Sequence, residues 1–214
     1  MSSRAYKVSK LFSKLVFPYL LEYGCTDVVD FGAGRYLLVT KRLVRLFKTV
    51  CVVETQNQIN EILSRHERFI KEHGIQLMDF SEPSDKKYDA IICTNVLNVI
   101  PDPQERKVII RKMESMLVKD GLLVIKVPGK CLTNVRRSNH WFRHGDGYAF
   151  PFKRKDHIIY ATFRAGFTAE KLVKICAELL DFDRIFINNS KDVIISFRKK
   201  NGSYRATTLF MEKG

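Results

Sequence analysis

Asp30-Phe31-Gly32-Ala33-Gly34 is the stretch whose residue types and spacing most directly suggest chemistry. It follows the apolar pair Val28-Val29 and precedes Tyr36-Leu37-Leu38-Val39, which reads as the start of a helix. A strand ending in an acid, a two-glycine turn and a helix make a site for a nucleotide-type cofactor. The glycines let the backbone turn tightly and approach a ligand with no Cβ in the way. Twenty residues after Gly34, the run Val50-Cys51-Val52-Val53 ends in Glu54. A carboxylate at the tip of a second strand can accept hydrogen bonds from a ribose diol.

Regular elements must hold these residues in place. Residues 1–23 read as helical, with Pro18 a kink or break and Gly24 a stop. Strands and helices then alternate: strand 27–30, helix 35–47, strand 50–54, and helix 57–72 ending at Gly74. Strands 75–78 and 88–93 follow, then a helix over 104–118 with Asp102 as N-cap. Lys119-Asp120-Gly121 reads as a turn before strand 122–127. The strand runs are almost continuously apolar, which marks strands covered on both faces in a parallel sheet. A helix over 168–180 precedes strands 183–187 and 192–197. The link Asn188-Asn189-Ser190-Lys191 is too short for a parallel crossover. The last two strands therefore pair antiparallel or flank a third. The expected fold is doubly wound α/β, mainly parallel, with one antiparallel strand near the C-terminal edge. The expected organisation is a helical extension over 1–24, one domain over 25–198 carrying an insert at 130–164, and a tail over 199–214.

In order and spacing, these motifs resemble the class I S-adenosylmethionine-dependent methyltransferases, over about residues 25–198. The acid-x-Gly-x-Gly motif is matched by Asp30-Phe31-Gly32-Ala33-Gly34, and the acid ending strand 2 by Glu54. The polar residue after strand 3 is matched by Asp79. Tyr88 through Asn95 match the strand running into a polar loop, and Lys119-Asp120-Gly121 the glycine turn before strand 5. The resemblance implies a seven-stranded Rossmann-like sheet and S-adenosylmethionine as cofactor. It implies that Asp30 and the backbone at Gly32 and Gly34 hold the methionine end. Glu54 would accept from the ribose hydroxyls, and Asp79, with backbone near Phe80, would address the adenine amino group. Asn95 would lie at the mouth where substrate and methyl meet, which makes it both a cofactor contact and the catalytic candidate. Plainer roles stay open: Asp30 ordering its turn, Glu54 as a surface acid, Asp79 capping a turn, Asn95 bonding locally. A nicotinamide dinucleotide is the rival cofactor, but Leu37 stands where the third glycine of its G-x-G-x-x-G fingerprint would be.

Lys and Arg number 37 against 23 Asp and Glu, a formal charge of +14 that attracts polyanions. The insert interleaves Lys130, Arg136, Arg137, Arg143, Lys153, Arg154, Lys155 and Arg164 with Trp141, Phe142, Tyr148, Phe150, Phe152, Tyr160 and Phe163. Cations for phosphates plus flat rings for bases is one way to hold single-stranded nucleic acid. Arg136, Arg137, Trp141, Arg143, Lys153 and Arg154 are thus the candidate substrate contacts. The other reading is a lid whose rings pack inward while its cations face water. Thr94-Asn95-Val96-Leu97 lacks the Pro-Pro pair of enzymes that methylate base amino groups, and Cys93 precedes Thr94 rather than following a proline.

His140, His144 and His157 beside Cys131 match no structural zinc spacing, so no metal is expected. A histidine or Asp146 could serve as a general base. The five cysteines form no C-x-x-C pair and point to a reducing compartment. No apolar run approaches the roughly 20 residues of a membrane span. The expectation is a cytoplasmic methyltransferase acting on nucleic acid. The alternatives are a small-molecule methyltransferase and a non-catalytic nucleic-acid-binding or regulatory protein with the same fold.

Overall fold

The apolar runs become strands, and what surrounds them sorts into two compact units. A computed structural model describes residues 10–129, 141–153, 159–189 and 192–199, with backbone alone at 10–12, 151–153, 159–162, 183–189 and 192. One unit is Met1–Thr94 with Ser115–Val124, and the other is Asn95–Glu114 with Ile125–Gly214.

The first unit holds α1 (Lys10–Glu22), β1 (Asp27–Phe31), α2 (Thr40–Leu43), β2 (Thr49–Glu54), α3 (Gln56–Glu72), β3 (Gln76–Asp79) and β4 (Tyr88–Thr94). α1 runs unbroken across Pro18. β1 pairs in parallel with both β2 and β4, and β2 with β3. Val28, Val29, Val52, Ile91 and Ile92 are fully buried, and each such side chain contributes about 1.5–3 kcal/mol of transfer free energy. Cys51 and Cys93 are buried in these strands like small hydrophobes.

The helix expected over 35–47 shrinks to the four residues Thr40–Leu43. The reason is Leu37, whose φ of +52° no right-handed helix accommodates. Its side chain is buried with Val52, Ile62, Ile70 and Ile75, so core packing overrides the local preference. α3 breaks helical geometry at His66 (φ −136°, ψ 18°).

β5 (Leu117–Pro128) starts in the first unit and ends in the second. It begins five residues before the expected strand and absorbs the Lys119-Asp120-Gly121 turn, with Asp120 at φ +61°. The second unit also holds a 3-10 turn (Leu97–Val99), α4 (Pro103–Ser115), β6 (Phe142–His144), β7 (Gly147–Lys153), β8 (Ile159–Ala165), α5 (Ala169–Ala177), β9 (Phe182–Asn189) and β10 (Asp192–Lys199). Asp102 caps α4 by accepting the Gln104 N–H at 2.8 Å, and Thr168 caps α5 by accepting the Lys171 N–H at 3.1 Å. β9 and β10 pair antiparallel.

Seven strands form one sheet in the order β3-β2-β1-β4-β5-β10-β9. The order reverses between β1 and β4. Ligands in open α/β sheets bind outside the carboxyl ends of the strands at such a switch point.

A separate three-stranded antiparallel sheet, β6-β7-β8, occupies the insert, which carried no expected strands. Its signal was legible: Gly145-Asp146, a two-residue loop with glycine first at φ +53°, stands between aromatic-rich runs and is a hairpin signature. A Cβ at Gly147 would overlap the Phe163 ring and the Arg164 carbonyl, so only glycine lets β7 and β8 approach.

Candidate functional site

β1 and β2 deliver the glycine turn and Glu54 to the switch point. The Gly32 N–H donates to the Val53 carbonyl at 2.9 Å, tying the turn to β2. The Gly34 N–H donates to Glu54 Oε1 at 2.6 Å, and the Thr55 N–H to Oε2 at 3.3 Å. Gly34 has φ +67°, and a Cβ built on it meets nothing within 4 Å. The space beside it is therefore open. Burial raises the Glu54 pKa above the usual carboxylate range, and the Gly34 and Thr55 amides oppose that shift.

This donor set fits an adenosine cofactor. An ionised carboxylate offers about four lone-pair sites, and the two amides occupy only part of that capacity. What remains can accept from a ribose diol, beside a turn with room for a ligand.

Asp30 is buried, and the Thr40 hydroxyl donates to its Oδ2 at 2.6 Å. Burial pushes its pKa up to about 7; the Thr40 bonds pull it down and the Glu54 charge adds to the rise. The acid thus fastens the glycine turn to α2. Asp79 lies opposite Glu54 in the β2–β3 register. Its Oδ1 accepts both the hydroxyl and, at 2.7 Å, the N–H of Ser81, so it caps its own turn. The Phe80 N–H donates to the Glu54 carbonyl at 2.8 Å. The Phe80 ring stands edge-on to Phe31, with 5.9 Å between centroids. Two residues with no signal in the sequence also reach the turn. His66 Nε2 bonds the Arg35 carbonyl at 3.1 Å, and Glu61 pairs with the Arg35 guanidinium at 3.0 Å.

In the second unit, Asn95 follows β4 directly. It holds φ +60°, and its N–H donates to the Lys126 carbonyl at 2.8 Å. Asn98 is fully buried, and neither its Oδ1 nor its Nδ2 has a partner among the described residues. Arg106 is 1% exposed. It donates from Nε to the Ile100 carbonyl at 2.8 Å and grips Asp146 with both terminal nitrogens, Nη2–Oδ1 being 2.9 Å. The Phe163 and Phe167 ring centroids lie 5.7 and 5.4 Å from its guanidinium carbon. Lys171 adds a second cation at 2.7 Å from Asp146. The Arg106 hydrogen bond, followed by those of Lys171, outweighs desolvation and holds the Asp146 pKa down to about 2. So acidic a carboxylate is a poor proton acceptor at neutral pH, which removes Asp146 as general base.

The substrate candidates divide. Trp141 packs on Phe150 at 5.3 Å between centroids, Arg143 is exposed opposite Tyr148, and Lys153 is described in backbone alone. Arg136, Arg137 and Arg154 lie outside the described residues. Phe163 is buried, whereas Phe142 is 50% exposed. Among the described residues no group of His, Cys, Asp and Glu can hold a metal ion; Cys131, His140 and His157 lie outside them. Cys25, Cys51, Cys93 and Cys176 are free and buried. No described helix is long and apolar enough to cross a membrane.

A family profile described as a methyltransferase domain matches residues 3–178. The chain belongs to the class I S-adenosylmethionine-dependent methyltransferases. No curated protein matches this methyltransferase significantly in sequence. Solved structures match its fold. An S-adenosylmethionine-dependent methyltransferase from Clostridium acetobutylicum is 16% identical with TM-score 0.68, covering 92% of this chain and 94% of that one. The N-methyltransferase NodS from Bradyrhizobium japonicum, in complex with S-adenosyl-L-homocysteine, is 17% identical with TM-score 0.56 and 90% coverage of each chain. The magnesium protoporphyrin IX methyltransferase of Synechocystis, with the same product bound, is 16% identical with TM-score 0.58, covering 87% of this chain and 81% of that one.

Proposed function

We propose that this methyltransferase transfers the methyl group of S-adenosylmethionine to a small molecule. The observation that carries the cofactor assignment is the Gly34–Glu54 lock, a half-buried carboxylate fixed beside an open turn at the switch point. When bound, the cofactor supplies an electrophilic methyl on a sulfonium that leaves as a neutral thioether. Glu54 would then accept from the ribose hydroxyls. The glycine turn would let the backbone approach the methionine end, with Asp30 holding the turn through Thr40. Asp79 would stand at the adenine side. The protein's task is alignment and exclusion of water, since no leaving-group acid is needed.

Two observations support a small substrate. The relatives of similar fold include enzymes named for an N-methyl transfer and for magnesium protoporphyrin IX. In the insert, Phe163 is buried and Trp141 packs on Phe150, which favours the inward-packed lid over a stacking platform for bases. The charge of +14 favours the second reading, a nucleic-acid substrate. Four buried free thiols support a reducing, cytoplasmic setting. Calorimetry with S-adenosylhomocysteine tests the pocket, and absence of binding removes the enzymatic reading. Oligonucleotide binding at two salt concentrations separates the substrates. Tight, steeply salt-dependent binding with methyl incorporation into the strand would replace the small molecule by nucleic acid.

A further inference from the structure

Asn95 and Lys126 interlock twice. Besides the backbone bond, the Lys126 ammonium donates to Asn95 Oδ1 at 3.4 Å. Lys126 is buried, whereas Asn95 is exposed. Asn95 takes a left-handed φ of +60°, a conformation that asparagine adopts more readily than other non-glycine residues. An ammonium has donors only, so the oxygen of the Asn95 amide must face it. That turns Asn95 Nδ2 the opposite way. The residue sits one position beyond the carboxyl end of β4, a strand that flanks the switch point.

We infer that Lys126 is a positioning residue that sets the Asn95 amide to present its N–H donors to an anionic oxygen on the methyl acceptor. This rests on the methyltransferase reading above. An oxyanion, such as a carboxylate or phenolate, needs donors to orient it and has no proton to lose. An amine has N–H groups to place and needs acceptors instead. The pair therefore selects oxygen over nitrogen.

The test starts from the 15N-labelled chain saturated with S-adenosylhomocysteine, with saturation read by calorimetry. Benzoate and benzylamine are then titrated in separately. Benzoate should shift the Asn95 side-chain resonances and benzylamine should not. Lys126→Met should weaken benzoate at least about tenfold, the scale of a hydrogen bond to a charged group. Lys126→Arg should restore binding, which loss of packing alone would not explain. Asn95→Asp, which sets a carboxylate against the probe, should abolish it. The inference is overturned by an equal response to the two probes, by no response to benzoate, or by a Lys126→Met chain that binds benzoate like the wild type. Failure of S-adenosylhomocysteine itself to bind would instead sink the methyltransferase reading, and this inference with it.

Discussion

The two units are held together by different means. The first is organised by parallel strands whose side chains are apolar on both faces, and its few buried polar groups serve the glycine turn. The second gathers α4, α5 and the β6–β7 hairpin around one buried guanidinium. Apolar burial is spread over many interchangeable contacts and tolerates small losses. A buried ion cluster is concentrated in a few atoms and fails when one partner goes.

The largest effect should come from Arg106→Ala. It leaves the Ile100 carbonyl without its donor and Asp146 with Lys171 alone, and it empties the space that the guanidinium fills. Denaturant titration should show a loss of about 3–5 kcal/mol, the range for breaking a buried pair. Ile92→Val in the first unit should cost only about 0.5–1.5 kcal/mol. Equal losses would erase the contrast between the units.

Asp30→Asn sharpens it through pH. The folded pKa of Asp30 is about 7, against an ordinary 3.8. The native chain thus holds a proton that the unfolded chain has released across that window, and its stability falls as pH rises through it. The Asn variant should match the wild type near pH 4 and exceed it by up to roughly 4 kcal/mol above pH 7. Thermal melts that keep a constant difference across that range would contradict the buried carboxylate.

Glu54→Gln should weaken S-adenosylhomocysteine about tenfold in calorimetry, as a charge-assisted acceptor becomes neutral. Unchanged affinity would mean that Glu54 only braces Gly34. The smallest effect should be a gain: Asn98→Leu removes an amide with no partner among the described residues and should raise stability by about 1 kcal/mol. A loss would show that water or a ligand satisfies that amide.

Much of the first unit was legible because strands covered on both faces write themselves as unbroken apolar runs, with Glu54 and Asp79 at their ends. Asp102 was legible as a cap because that preference is local. Leu37 was not, because its backbone is set by Ile62 and Ile70 on α3 rather than by its neighbours. Arg106 reads as a solvated charge between Glu105 and Lys107; only Asp146, 40 residues further on, makes it a core residue.

Leu37 has an evolutionary corollary. The left-handed backbone of Leu37 is held at a distance, by the aliphatic packing of α3. Substitutions at Ile62 or Ile70 selected for thermal tolerance would therefore retune ligand affinity from well outside the pocket, and drift at those positions is answerable to catalysis.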